Sequence, residues 1–436
     1  MADSLSSEEI SDALEVITKG GFKGSLKPYQ QKGTAWMAKV EDRQHGAAPS
    51  DGLGFGGILG DVMGLGKTVE MIALLCFTLG LSLSSEAFRG VDMAGLPTLI
   101  VVPVAVLENW RRELLKFSST TRRSIHLYYG SGRKGRDILK RLSSSHVVIT
   151  TYGTLQSEAF PKKADAVSTN VLTQATLFNI RWGRIICDEC HVARNASTKI
   201  WMALMTFRRI QPRVFMWLLS GTLIHNEVSD IVAYCTLLGL PEDTFSSKRW
   251  WNQAIGAIWD ADADPSDRSV DDAVAGMELF RSRHLLARTK DSLTLPTITT
   301  IVDNVPLSTV ERHAYTTVYD NVVKSFRDYR RATGAARFEA FSEILVQLMR
   351  LRQVVTHPAL MLGAKEVHKY FSVAKKGHDQ ERSRAIERKH SPAIEMASSK
   401  IKWAIDLIRH HKGSRFLIFS QWTSMLRLFE FHLDKE

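Results

Sequence analysis

Two adjacent carboxylates, Asp188 and Glu189, close the apolar run Ile185-Ile186-Cys187 and are followed by Cys190 and His191. The stretch fits three chemistries: covalent haem attachment at C-x-x-C-H, a thiol redox or zinc site, and a carboxylate pair holding magnesium and a water beside a nucleotide. A structural zinc needs four ligands, and no second Cys or His pair with suitable spacing joins Cys187, Cys190 and His191. A redox dithiol belongs at a helix N-terminus, whereas Cys187 lies within a predicted strand. Haem attachment requires an oxidising compartment. The start "MADSLSSEEISDALEV" is polar and acidic rather than signal-like, and four cysteines in 436 residues suit a reducing interior. The expectation is an intracellular protein without haem or structural zinc, in which Cys187 is a small buried hydrophobe. The carboxylates remain as the chemical groups: Asp188 to hold a metal ion, Glu189 to orient and deprotonate a water.

Such a pair needs a phosphate site opposite it. "GDVMGLGKT", residues 60–68, follows a short apolar run and opens a helical pattern. Gly64 and Gly66 allow the backbone, with Leu65 between them, to approach phosphate oxygens. The N–H groups at the helix start form an anion nest. Lys67 can reach the β- and γ-phosphates, and the Thr68 hydroxyl can ligate magnesium. Asp61 departs from the strict G-x-x-x-x-G-K-[ST] pattern, standing where the first glycine would be. Upstream, "DGLGFGG" satisfies G-x-G-x-x-G through Gly52, Gly54 and Gly57, but it precedes its strand instead of following it, so it reads as a mobile loop.

The elements that must position these residues are legible in the alternation of apolar runs and helical patterns from about residue 56 to 240. "GGILGD", "TLIVVP", "SIHLYYG", "HVVITTY", "RWGRIICDE" and "VFMWLLSGT" read as strands, several of them apolar on both faces, as in a covered parallel sheet. The fold class is therefore α/β with a doubly wound parallel sheet, and ligands belong beyond the carboxyl ends of its strands. The expected domains are a tail at 1–25, a nucleotide-binding lobe at 26–240, and a linker with an acidic loop ("DADADPSDRSVDD") at 241–300. A helical insertion with a charged connection at 301–396 follows. At 397–436, helix, strand "SRFLIFS" and helix open a second α/β lobe that remains incomplete. No apolar run is long enough to span a bilayer, so no membrane association is expected. The net charge of +11 supports a polyanionic partner.

In order along the chain, these blocks resemble the Swi/Snf family of helicase-like, DNA-translocating ATPases of helicase superfamily two. "LKPYQQKGTAWM" (26–37) is similar to the family's adenine-recognition segment, with Gln30 as adenine reader. "DVMGLGKT" resembles DEMGLGKT, with Val62 in place of the acidic residue. "LIVVPVAVLENWRREL", with Pro103, Asn109, Trp110 and Glu113, and "VVITTYGTL" match the next blocks; "DECH" is a form of the DEAH box. "LLSGTLIHN" resembles LLSGTPIQN, departing at Leu223 and His225. "LLARTKDSLTLP", "LRQVVTHPAL" and "FLIFSQWTSML" extend the match over residues 26–436. The branch it resembles most includes ubiquitin-ligase-linked DNA-repair translocases and transcription-termination relatives.

The resemblance implies a RecA-like P-loop NTPase lobe, a helical insertion and the start of a second RecA-like lobe. It further implies ATP and Mg2+ as ligands, duplex DNA as partner in chromatin or repair complexes, and a nuclear location. Lys67, Asp188 and Glu189 take the catalytic roles, and Thr68 and Asp188 hold the metal. Gln30, Gly64, Leu65, Gly66, Lys67 and Thr68 bind the nucleotide. Ser220, Gly221 and Thr222 couple nucleotide state to motion, and Asn226 caps a helix. The loop after Pro103 and the turn Thr151-Tyr152-Gly153 are candidate DNA contacts, made mainly to phosphates. The residues quoted stop before the family's final blocks, which carry an arginine finger. Residues 1–436 alone are accordingly expected to bind ATP but hydrolyse it poorly. The alternative is a non-hydrolysing ATP-binding scaffold that binds DNA or protein partners; a DEAH-type RNA helicase fits the motif forms less well.

Overall fold

In a computed structural model, the structure describes residues 5–45, 52, 54–84, 95–119, 124–133, 135, 137–161, 176–223, 229–242, 245–252, 268–293, 296–363 and 393–435. Most of the stretch near 160–175, which reads as a long loop in the sequence, the motif positions His225 and Asn226, most of the acidic loop and most of the charged connection lie outside the described residues. The chain divides into two compact units, Met1–Leu295 and Pro296–Glu436.

The first unit is built on β1 (Gly56–Leu59), β2 (Thr98–Val102), β3 (Ile125–Leu127), β4 (Val147–Thr151), β5 (Arg184–Asp188), β6 (Phe215–Leu219) and β7 (Leu285–Leu286). They form one sheet in the order β3-β4-β2-β5-β6-β1-β7, with every neighbouring pair parallel. The apolar runs become strands because successive side chains can be buried on opposite faces. Leu99, Val101, Ile185, Met216 and Leu218 enter one core layer, and their neighbours Ile100, Val102, Ile186, Trp217 and Leu219 the other. The second layer is closed by α1 (Ser7–Lys19), α2 (Pro28–His45), α3 (Lys67–Ser84) and α4 (Leu107–Phe117), through Ile17, Met37, Met71 and Trp110. The first is closed by α6 (Tyr152–Ala159), α7 (Lys199–Ile210), α8 (Ser229–Leu238) and α9 (Arg268–His284), through Leu155, Phe207, Tyr234 and Phe280. The short α5 (Ile138–Ser143) joins β3 to β4. The doubly wound α/β class is thus the observed one.

Two segments differ from their expected roles. The tail at 1–25 contains α1, whose start is a reciprocal cap: Ser6 Oγ accepts from the Glu9 amide at 3.1 Å, and Glu9 Oε2 accepts from the Ser6 amide at 2.8 Å. This helix packs against α3 so closely that a Cβ on Gly20 would stand 1.7 Å from the Cys76 carbonyl oxygen. The expected linker at 241–300 likewise supplies part of this unit. Phe245, Trp251 and Phe280 pack ring against ring, Arg268–Asp272 of the acidic stretch start α9, and β7 extends the sheet beside β1. A two-residue strand leaves no readable alternation, which is why β7 is invisible in the sequence.

The second unit contains α10 (Thr309–Arg331), α11 (Gly334–Thr356), α12 (Ser399–His410) and α13 (Thr423–Leu433). The helical reading of 306–357 therefore holds. Ser308 and Glu311 form a capping box at the start of α10, and Glu311 also accepts from the amide of Ser399 at 2.9 Å. Hydrogen bonds from Ser399 and Ser308 outweigh burial and hold the Glu311 carboxyl below its ordinary range. "SRFLIFS" is not a strand: it has no regular secondary structure, and Leu417 is 85% and Phe419 88% exposed. Strands exist through ladder hydrogen bonds, and no neighbouring strand occurs among the described residues of this unit. Among the described residues of the chain, no helix is long and apolar enough to cross a membrane.

His357 is fully buried in this unit; its Nε2 donates to the Met396 carbonyl at 2.9 Å and its Nδ1 accepts from the Ala359 amide at 3.1 Å. Burial lowers its pKa from 6.5 to about 4. The unfolded chain then binds a proton that the folded unit refuses, so stability present above pH 6.5 is lost as pH falls towards 4, by up to about 3 kcal/mol. Thermal unfolding of the chain at pH 7 and pH 4.5 is expected to show that loss in the second unit's transition, and His357→Asn, neutral at both pH values, to reduce it.

Candidate functional site

The carboxyl ends of β1, β5 and β6 lie side by side, since β6 pairs in parallel with both of its neighbours. The loop at 60–66 leaves β1, residues 189–193 leave β5, and residues 220–222 leave β6, so the chemically equipped segments converge at one edge of the sheet.

In the first loop, Gly64 and Gly66 have φ of +95° and +90°, which L-residues with side chains rarely adopt. A Cβ on Gly66 would also come 2.4 Å from Gln30 Nε2, whereas one on Gly64 would meet nothing within 4 Å. The loop is held from below: the Leu65 carbonyl accepts from Tyr29 Oη and from Gln30 Nε2, both at 2.9 Å. Gln30 Oε1 accepts from the Lys27 amide at 2.9 Å, so the expected adenine reader also braces the loop. The Leu65 side chain is buried in the core, leaving only its backbone for a ligand. Lys67 Nζ donates to the Asp61 carbonyl at 2.7 Å, and Thr68 sits half-buried in the first turn of α3.

Opposite, Asp188 Oδ2 accepts from Trp110 Nε1 at 2.7 Å, and Oδ1 accepts from the Glu189 amide at 3.0 Å. Burial raises the Asp188 pKa; the Trp110 hydrogen bond and the positive charge of Lys67 oppose that rise. The Lys67 ammonium and the Asp188 carboxylate therefore share one electrostatic environment. Glu189 has φ 51° and ψ 49°, the one non-glycine with left-handed backbone among the described residues. Strain of this kind collects at functional positions. Its Oε2 lies 3.1 Å from His191 Nδ1. Cys187 and Cys190 are fully buried in one packed layer, and burial pushes both thiols far up, as expected of packing residues.

The β6 turn completes the site. Ser220 Oγ accepts from the Thr222 amide at 3.2 Å and donates to the Thr222 carbonyl at 3.0 Å. A Cβ on Gly221 would stand 2.9 Å from Met63 Cγ. Gly221, between Ser220 and Thr222, thus lies against the 60–66 loop. The donor set suits a nucleoside triphosphate with magnesium: open backbone at Gly64, an ammonium, a hydroxyl at a helix start and a half-buried carboxylate.

The SNF2-related domain matches residues 29–360, most of the chain. The chain belongs to that family. Relatives include the DNA repair protein rad5 of Emericella nidulans, 29% identical over 327 residues that cover 70% of this chain and 26% of the relative. The DNA repair protein rad5 of Aspergillus fumigatus is 30% identical, with 70% and 25% covered. The chain spans about a quarter of the length of these curated relatives. A solved Sulfolobus solfataricus SWI2/SNF2 ATPase core in complex with dsDNA aligns with 95% of this chain and 71% of that one, at 24% identity and a TM-score of 0.44.

Within this SNF2-related domain several residues lie in quoted motifs, but their structural roles carry no readable sequence signal. Tyr152 Oη donates to the Asp188 carbonyl at 2.7 Å, and Thr151 caps α6 through the Thr154 amide. Both side chains are buried, so the turn expected to touch DNA is, at these two residues, an internal brace; Gly153 remains exposed. The loop after Pro103 is exposed at Val104. Trp110 lies within a recognised motif, yet only the fold shows that its indole N–H serves Asp188. Arg288 reaches Asp61 across 227 residues.

Glu189→Gly should raise stability by about 1 kcal/mol, because glycine adopts the left-handed backbone without the Cβ penalty, while removing the carboxylate. Urea denaturation of the two proteins checks this; a destabilised glycine variant would contradict the strain reading.

Proposed function

We propose that this SNF2-related domain binds ATP with Mg2+ and duplex DNA and couples ATP hydrolysis to movement along the DNA. The observation carrying this reading is that the loop leading to Lys67 and Thr68 and the strand end bearing Asp188 and Glu189 open at the same edge of one parallel sheet. The Gly64–Gly66 backbone and the N-terminus of α3 would receive the phosphates, with Lys67 exchanging the Asp61 carbonyl for phosphate oxygens. Thr68 and Asp188 would hold the metal ion, and the ion, when bound, neutralises phosphate charge. Trp110 keeps one Asp188 oxygen oriented. Glu189, half-exposed beyond the strand end, would orient the attacking water and accept its proton. Gln30 would read adenine, and Ser220, Gly221 and Thr222 would pass the state of the phosphates to the rest of the motor.

Duplex DNA as partner is supported by the net charge of +11 and by the names of the relatives as DNA repair proteins. The same names support a nuclear role in repair or chromatin complexes. Nucleotide titration and ATPase assays with and without duplex DNA, on the chain and on Lys67→Ala, test the reading. Saturable Mg-ATP binding, lost by at least about tenfold in Lys67→Ala, and slow turnover that duplex DNA raises are expected. Binding without any turnover would assign the chain the scaffold role; no binding would refute the reading.

A further inference from the structure

Asp61 poses a problem that the proposed function does not solve: a fully buried carboxylate lies inside a loop meant to receive phosphates. Its partner is Arg288, just beyond β7. The backbone of 286–288 first runs along the loop, with the Gly60 amide donating to the Leu286 carbonyl at 2.7 Å and the Val62 amide to the Arg288 carbonyl at 3.1 Å. The Arg288 amide donates to Asp61 Oδ1 at 2.9 Å. Its side chain then forks. Nε reaches both Asp61 oxygens at 3.0 and 3.1 Å. One terminal nitrogen reaches Asp61 and both oxygens of Glu70, the latter at 2.6 and 2.8 Å; the other donates to the Tyr29 carbonyl.

We propose that Arg288 is a positioning residue for the nucleotide site: its fork ties the loop, the first turn of α3 and the start of α2 into the one arrangement that accepts phosphates. The proposal rests on the ATP-binding reading above. Glu70 lies three residues beyond Lys67, so one guanidinium holding Asp61 and Glu70 fixes the span across the glycines. It stacks over the Tyr29 ring at 5.1 Å, and Tyr29 in turn holds the Leu65 carbonyl. Space for the fork exists because residue 33 is glycine: a Cβ there would stand 2.1 Å from Glu70 Oε2 and 2.7 Å from an Arg288 nitrogen. Two left-handed glycines leave the loop many alternative shapes, and a clamp from outside removes them. It also turns the Asp61 charge away from the phosphates by satisfying it from the opposite side.

A clamp differs from simple charge neutralisation in what lysine can replace. Lysine supplies the charge but not the planar fork of five donors. Two readouts on the full chain test the proposal: the dissociation constant for Mg-ATP, by displacement of a fluorescent nucleotide, and amide exchange of residues 60–66 without nucleotide. For Arg288→Lys, about a tenfold weaker affinity and faster exchange across 60–66 are expected, with circular dichroism unchanged. Wild-type affinity or wild-type exchange in that variant would overturn the proposal. If Arg288→Lys does not fold, Asp61→Asn, which weakens the other side of the same contact, decides by the same two readouts. Failure of the wild-type chain to bind Mg-ATP would instead sink the functional reading, and Lys67→Ala separates the two by losing affinity while leaving the Arg288 fork intact.

Discussion

The parallel register of β5, β6 and β1 is the constraint on which everything else depends. Because β6 pairs with both neighbours in the same direction, the loops after three strands distant in sequence open at one edge. A parallel arrangement requires crossover helices on both faces, and the chain provides them in two buried layers. Burial on both faces in turn explains why the strands are so uniformly apolar, and why polar chemistry appears only where they end.

That edge gathers charge at the margin of a dry core, and each charge has a specific answer. Asp188 receives an indole N–H, and Asp61 and Glu70 share a guanidinium. Deeper in, Arg184 pairs with Glu41, which also accepts from Trp217 Nε1 at 2.8 Å, so α2 is fastened to β5 and β6 by buried polar groups. Removing one member of such a set exposes the full desolvation cost of the other. The site is therefore rigid at its base and open above Gly64. The left-handed backbone at Glu189 sits at the residue proposed to handle the water.

Much of this was legible in the sequence, because strand, loop and helix patterns are local. The six apolar runs became β1 to β6, and the residues expected to bind nucleotide were brought together with the carboxylate pair. What escaped was non-local or context-dependent. The clamp on Asp61 comes from a position 227 residues away, and no periodicity announces it. Tyr152 reads as an exposed turn residue until the fold turns its hydroxyl onto the Asp188 carbonyl. "SRFLIFS" reads as a strand by composition, but a strand is a relation between segments, and Leu417 and Phe419 remain uncovered.

The central claim is that a single nucleotide engages the loop after β1 and the carboxylates after β5 together. Hydrogen–deuterium exchange of the chain with and without Mg-ATP tests it most directly. Simultaneous protection of residues 61–68 and of residues 188–191, at one and the same nucleotide concentration, is the predicted result. Protection confined to one of the two segments, or absent from both at saturating nucleotide, would contradict it.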